Sequence, residues 1–168
     1  MFWRRNRPAA NAATPIALSP VRIFTTDSTI DGWVDLFGQR LSDVLNAVDS
    51  LNVSGVPVPL DESDWFVTNR ERMLLVVPPP QASDRPLRRH RVKRRLLALS
   101  GHYVVRGVVH MVAGIELDPF LARSGQHSLP ITKAWITSTE RPEIDEQQAA
   151  LLINVRNTSQ RLQLEVLE

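Results

Sequence analysis

A weak internal repeat constrains the fold of this 168-residue chain more than any other feature of its sequence. Residues 30–34, 41–45 and 73–77 realign with residues 105–109, 117–121 and 151–155, at offsets of 75, 76 and 78 positions. The offset only grows, as expected when two copies diverge by small insertions in loops, where insertions are best tolerated. We therefore predict an N-terminal arm (1–20), a first unit (21–77), a connector (78–95) and a second unit (96–168).

The first unit opens with a pattern that is typical of a β-hairpin. Two β-branched runs, residues 21–26 and 29–36, flank Asp27-Ser28, a pair suited to a tight turn. Gly32 lies in the middle of the second run, and Gly107 lies at the aligned place in the second unit. A mid-strand glycine costs about 0.5–1 kcal/mol. Its presence in both units therefore predicts a bulge, a sharp bend or a close backbone approach.

A short helix is predicted after the hairpin in each unit. In the second unit Asp118 is suited to the N-cap and Pro119 to the first helical position, and Ser42 occupies the aligned place in the first unit. Further strands are predicted at residues 56–60, 65–68 and 73–77, and at 129–137, 150–155 and 162–167. The predicted fold class is mainly β with short helices. We expect two tandem small curled-sheet or barrel units, each strand–strand–helix–strand–strand.

Three short motifs of the first unit carry a resemblance to known proteins. They are Gly32-Trp33-Val34 at a strand end, the helix start Leu-Ser-Asp-Val-Leu-Asn at residues 41–46, and the apolar strand at residues 73–77. In these motifs the chain resembles an uncharacterised prokaryotic family of tandem β-rich repeats of unknown function. The strand pattern is also similar to small Sm-like and SH3-like barrels. The resemblance implies the architecture and brings no activity with it.

Composition excludes several classes of protein. The chain has no cysteine, which rules out disulfides, thiolate nucleophiles and cysteine-ligated metal sites. The opening Met-Phe-Trp-Arg-Arg-Asn-Arg is not followed by the apolar core of a signal peptide or a transmembrane helix. We therefore expect a cytoplasmic location.

The sequence predicts no catalytic residue, no cofactor and no metal. It contains no Gly-x-Ser-x-Gly elbow, Walker loop or Gly-x-Gly-x-x-Gly motif. The acidic group Asp61-Glu62-Ser63-Asp64 lacks the pivot glycine and distal glutamate of a calcium loop, so we interpret it as a solvated turn. His102 and His110 would lie about 26 Å apart on one extended strand, too far to share an ion. An enzyme with a pocket that sequence does not reveal is the third alternative.

Positive charge is concentrated in the connector. Residues 78–95 carry a net charge of +6, whereas the two units carry −5 and −2. This chemistry suits phosphate or acidic lipid, although the run has no aromatic residue on which a base would stack. The candidate anion-binding residues are Arg88, Arg89, Arg91, Lys93, Arg94 and Arg95. The alternative is a soluble linker that neutralises the two acidic units within one molecule.

Trp33 and Val108 are the candidate protein interface. Both are apolar residues at an aligned position that the strand alternation directs outward, and aromatic residues are favoured at interfaces. The alternative is that these faces pack on each other or lie under a loop. Near the N-terminus, Phe2-Trp3 and the neighbouring arginines predict only a weak contact with a membrane surface.

Units of this size are marginal alone, because a domain of about 60 residues buries only about 60% of its unfolded surface. We therefore expect a non-enzymatic protein-binding or assembly module, whose partner is another protein or a further copy of the chain. The alternative function is that of an accessory factor held on nucleic acid or an anionic membrane surface by the connector and the N-terminal arm.

Overall fold

The computed structural model describes residues 17–80, 91–119 and 125–166. In chain order the strands are β1 (Ser19–Phe24), β2 (Thr29–Val34), β3 (Ser50–Ser54), β4 (Trp65–Asn69), β5 (Leu75–Val77), β6 (Arg91–Ser100), β7 (Tyr103–Val112), β8 (Ser128–Ser138), β9 (Asp145–Asn154) and β10 (Thr158–Val166). One α-helix, α1, spans Leu41–Ala47, and residues 117–119 are also helical. Single 3₁₀ turns span Glu62–Asp64, Arg70–Arg72 and Val155–Asn157. The chain is therefore mainly β with short helices.

All ten strands form one sheet, in the order β10-β6-β7-β8-β9-β5-β1-β2-β3-β4. Every pairing between neighbours is antiparallel. Within the described ranges no pairing joins β4 to β10, so the sheet is open and these two strands are its edges. The expected closed barrels are thus not observed.

Two apolar clusters lie on the sheet, one mostly in each half of the chain. The first contains side chains of β1, β2, α1 and β3, and the second contains side chains of β6 to β9. Where the halves meet, each cluster includes residues from the other half. Phe24 and Leu75 belong to the second cluster, and Leu152 belongs to the first. Each half therefore completes its core with side chains from the other.

The two hairpins have the same register. Val21 faces Gly32 across β1 and β2, and Leu96 faces Gly107 across β6 and β7, each residue 75 positions after its counterpart. The next strand is paired in the same way, because Trp33 faces Ser54 while Val108 faces Thr132.

Gly32 and Gly107 both lie where the following strand approaches the backbone closely. A Cβ atom on Gly32 would come within 2.4 Å of Val53 Cγ1 and 2.8 Å of the Ser54 carbonyl oxygen. A Cβ atom on Gly107 would come within 2.3 Å of Ile131 Cγ2. A register shift in the pairing of β7 with β8 falls at Gly107. The glycines therefore allow strand contacts that no larger residue permits without movement.

The 3₁₀ turns favour a different alignment for the last part of the repeat. The turn Arg70–Arg72 precedes β5, and the turn Val155–Asn157 precedes β10. Matching the elements by their order pairs β5 with β10, at an offset of 85, and β4 with the end of β9. The realignment of residues 73–77 with residues 151–155, at an offset of 78, stays a prediction.

Three local predictions also differ from the structure. Residues 56–60 form an exposed loop, and the strand that follows α1 is β3. The N-cap of α1 is Arg40, without a side-chain cap, so Ser42 lies inside the first turn. Asp118 and Pro119 are likewise the second and third helical residues of their segment. Finally, the last five connector residues belong to β6, whose basic start pairs with β7.

We predict that Gly32→Ala lowers the free energy of unfolding by about 1–3 kcal/mol, because the new methyl group would overlap the Ser54 carbonyl. Gly55→Ala is the matched control, since the nearest atom to its Cβ is 3.9 Å away. Urea unfolding of both variants measures the difference. Equal stability of the two variants would contradict the close approach at Gly32.

Candidate functional site

The joint between the two halves is the short strand β5. Its residue Val76 faces Ile23 of β1 on one side and Leu152 of β9 on the other, and Leu75 lies between Phe24 and Ile153 in the same way. All six of these side chains are at most 5% exposed. The joint is therefore an apolar strand contact whose main-chain groups are paired on both sides.

Polar side-chain contacts also link the two halves, both inside the protein and at its surface. The Tyr103 hydroxyl donates a hydrogen bond to the Thr25 carbonyl oxygen at 2.9 Å, and both residues are buried. The Arg22 guanidinium lies 2.6 Å from Asp31 and 3.0 Å from Glu146 of β9. The hydrogen bond that Arg22 donates to Asp31 is the main cause that raises the pKa of Arg22, and Glu146 adds to it. Arg22 thus stays charged and links β1 to β9.

Asparagine amides make the remaining contacts across the joint. Asn46 Oδ1 accepts hydrogen bonds from the main-chain N–H groups of His127 and Ser128 at 2.8 and 3.1 Å. Asn154 Nδ2 donates to the carbonyl oxygens of Arg70 and Met73, both at 2.9 Å. These contacts satisfy main-chain groups at the turns beside β5, where a buried polar group without a partner would be costly.

Five exposed apolar residues lie on β4 and in the loop that precedes it. Leu60 is 89% exposed, Val67 is 63% exposed, and the others are exposed to a smaller degree. We call this surface the edge patch, and define it by Val56, Val58, Leu60, Phe66 and Val67. Phe66 and Val67 follow each other in β4, so their side chains point to opposite faces of the sheet. Exposed apolar side chains on an edge strand favour pairing with another strand.

The main chain of β4 is also open at the edge patch. Gly55 N–H donates to the Asp64 carbonyl oxygen at 2.8 Å, which sets the phase of the ladder between β3 and β4. Because hydrogen-bonded pairs alternate along an antiparallel ladder, Phe66 directs its main-chain groups to β3 and Val67 directs them away. The outward groups of this strand therefore belong to Trp65, Val67 and Asn69.

The acidic turn before β4 holds the adjoining loop. Asp61 Oδ1 accepts from the hydroxyl and the main-chain N–H of Ser63, and these bonds lower the pKa of Asp61. Asp64 Oδ2 accepts from the Leu60 N–H at 2.7 Å. The carboxylates fix the loop that presents Leu60.

Trp33 and Val108 occupy matching places in the register, and each is half-buried. Trp33 lies one strand away from the edge, since it faces Ser54, which faces Trp65 of β4. A contact of Trp33 with a partner stays a prediction. The sequence reasoning missed the edge patch, because nothing in the sequence shows that β4 is an edge strand.

The structure brings part of the basic run together with an aromatic residue. Lys93 and Arg95 alternate along β6 and are exposed, whereas Arg94 is half-buried. The exposed Arg106 of β7 lies on the same face, with its guanidinium carbon 5.5 Å from the centre of the Trp135 ring. Arg88 and Arg89 lie outside the described residues, as does the side chain of Arg91. We call Lys93, Arg95, Arg106 and Trp135 the basic face.

The described residues show no arrangement typical of a metal or catalytic site. No three His, Asp or Glu side chains within them are grouped to hold a metal ion. His102 Nδ1 lies 3.7 Å from Glu140, and His110 Nε2 lies 2.9 Å from the Thr132 hydroxyl, so the two histidines have separate surroundings. None of the helices described here is long and apolar enough to span a membrane. The cytoplasmic location stays a prediction.

With this geometry in view, the chain was compared with known proteins. No protein-family model, no curated protein and no solved structure matches it.

His127 makes the stability of the joint depend on pH. Loss of hydration, and then the charges of Arg70 and Arg156, lower the pKa of its imidazole, and Asp49 opposes them. An unfolded histidine titrates near 6.5, so the unfolded chain binds this proton first as the pH falls. The free energy of unfolding should therefore decrease below about pH 6.5.

We predict that His127→Gln reduces this dependence. Urea unfolding at pH 7.5 and 5.5 should show a larger loss of stability on acidification for the native chain than for the variant. A difference between the two proteins that is the same at both pH values would contradict the effect of His127.

Proposed function

We propose that the chain is a non-enzymatic protein-binding or assembly module, built from two copies of one five-stranded unit. Three observations support the two copies. The hairpins share one register, the glycines make the same close approach, and a 3₁₀ turn precedes the last strand of each half. In each half the strands also follow the same order in the sheet, β5-β1-β2-β3-β4 and β10-β6-β7-β8-β9.

The edge patch carries the proposal of protein binding. Edge strands present unpaired main-chain groups, and proteins usually protect them with charged residues, proline or a covering element. The sequence of β4 is Trp-Phe-Val-Thr-Asn, which contains neither a charge nor a proline. Its open main-chain groups and apolar side chains suit the addition of a strand from another polypeptide.

A photo-crosslinking amino acid at position 67 tests this function in the cells that make the protein. We expect a discrete adduct of higher mass, because Val67 lies in the proposed contact with both its side chain and its main chain. The control places the same amino acid at Val112, which is 48% exposed and lies outside the edge patch. An adduct that forms equally at both positions, or at neither, would rule out the β4 edge as the binding site.

The basic face supports a second candidate function, the binding of an anionic polymer such as nucleic acid. Three exposed cationic side chains share one face with Trp135, which is 39% exposed and offers the stacking surface that the basic run lacks. These residues extend the basic run of the connector onto the folded sheet, as an accessory factor held on an anionic polymer would require.

If the three cations contact phosphates, the affinity for a mixed-sequence DNA duplex should fall with salt at a log–log slope near about −2.7. The double variant Lys93→Glu, Arg95→Glu should abolish most of this dependence. The double variant Arg40→Glu, Arg72→Glu makes the same change in net charge on exposed residues of the first half and is the control. Equal losses of affinity in the two double variants would show that only net charge matters.

A further inference from the structure

The strand β5 and its counterpart β10 differ in what covers them. β5 lies between β1 and β9, whereas β10 pairs with β6 and its other side is an edge of the sheet. In the same way the end of β9 is covered by β5, whereas its counterpart β4 is uncovered. The contact between the halves is formed by one side of β5 and one side of β9. Within the described residues, the corresponding sides of β10 and β4 are the unpaired edges of the sheet.

The 3₁₀ turns identify the matching residues. With Arg70–Arg72 placed on Val155–Asn157, Val67 of β4 corresponds to Leu152 of β9. Leu152 is 5% exposed because it faces Val76 and packs in the apolar cluster of the first half. Val67 is 63% exposed, since none of the strands that the structure describes lies beyond β4. One position of the repeat is thus covered in one half and open in the other.

The second half contains a small apolar recess at the place that corresponds to the packing site of Leu152. In the first half, Leu152 packs in one cluster with Val21, Ile23, Leu41 and Leu51. Their counterparts in the second half, by register and repeat alignment, are Leu96, Ala98, Leu117 and Leu129. These four residues are buried in the apolar cluster of the second half and line a shallow recess of about 10 Å³ beside the first residue of β10, Thr158.

The counterparts in β10 match β5 in strand pairing but not in composition, because Gln160 and Arg161 stand where β5 has Leu75 and Val76. The three residues of β5 correspond to Gln160, Arg161 and Leu162, which pair regularly with Leu99, Ala98 and Leu97 of β6. The irregularities of β10 fall before and after these three residues. The regular part of the open edge therefore has the length of β5.

Asn69 at the end of β4 matches Asn154 at the end of β9 in this alignment. Its counterpart Asn154 donates hydrogen bonds across the joint to the carbonyl oxygens of Arg70 and Met73. Asn69 is exposed and makes no side-chain cap. The carbonyl groups at the positions that correspond to Arg70 and Met73 are those of Val155 and Thr158, beside the recess.

From these correspondences we propose that the chain assembles head to tail with further copies of itself. Strand β4 of one copy pairs antiparallel with β10 of the next, and Val67 covers the shallow recess of the second half. This inference rests on the proposed function and names its partner. The contact is heterologous, because it joins two different surfaces, so each added copy leaves one free surface of each kind until a ring closes.

The variant Val67→Lys tests the contact, with Val112→Lys as the control. Light scattering after size exclusion should give the native chain a mass that is a multiple of 18.9 kDa. Val67→Lys should raise the dissociation constant by about 30-fold or more, as the loss of a central apolar anchor does. Val112→Lys should assemble like the native chain. Thermal unfolding of both variants should show folded proteins, since both side chains are exposed.

Introduced cysteines test the register, because the chain has none of its own. Val67→Cys and Arg161→Cys are the counterparts of the facing pair Leu152 and Val76. Facing residues on antiparallel strands lie about 4.5–5.5 Å apart, within the range of a disulfide. We expect the two variants, mixed under oxidising conditions, to form a disulfide-linked dimer of one chain of each kind. Arg161→Cys mixed with Val112→Cys should form none.

The outcomes separate this inference from the function on which it rests. A native chain that is monomeric at every concentration and a mixture without the disulfide-linked dimer would overturn self-assembly. If the crosslinker at position 67 then captures a different protein, the binding function at the β4 edge still holds. If the native chain assembles and the crosslinker at position 67 captures a second copy of the chain, both are supported.

Discussion

The whole sheet depends on three residues of β5. They are the only described strand that joins the two halves, and they place Val76 in one apolar cluster and Leu75 in the other. A unit of this size is only marginally stable alone, so sharing a strand that completes both cores favours folding of the halves together. The polar contacts of Tyr103, Asn46 and Asn154 then satisfy the main chain around that strand.

The hairpins could be predicted from the sequence because their determinants are local. Alternation of apolar residues, a turn pair and a glycine in each second strand indicated β1, β2 and the close approach at Gly32 and Gly107. The last part of the repeat is harder to align. Residues 73–77 and 151–155 are both apolar, and both lie at the joint, where Leu75 faces Ile153 and Val76 faces Leu152. Apolar composition reports burial, so it does not distinguish segments that contact each other from segments at matching places.

The same limit explains why the edge patch was missed. Residues 56–60 look like a strand because three of them are apolar, but Pro57 and Pro59 lack the N–H groups that a ladder needs. The structure makes them a loop, held by Asp61 and Asp64, beside β4. Whether a strand lies inside a sheet or at its edge depends on partners that are distant in the sequence.

Joining the two halves in one sheet leaves two edges. Two separate open sheets would have four edges, and the contact of β5 with β9 removes two of them. Within the described residues the remaining edges are β4 and β10, and β4 has none of the charges or prolines that usually prevent pairing. Because hydrogen-bonded pairs alternate along the ladder with β3, the main-chain groups of Val67 point away from β3 and favour pairing with a further strand.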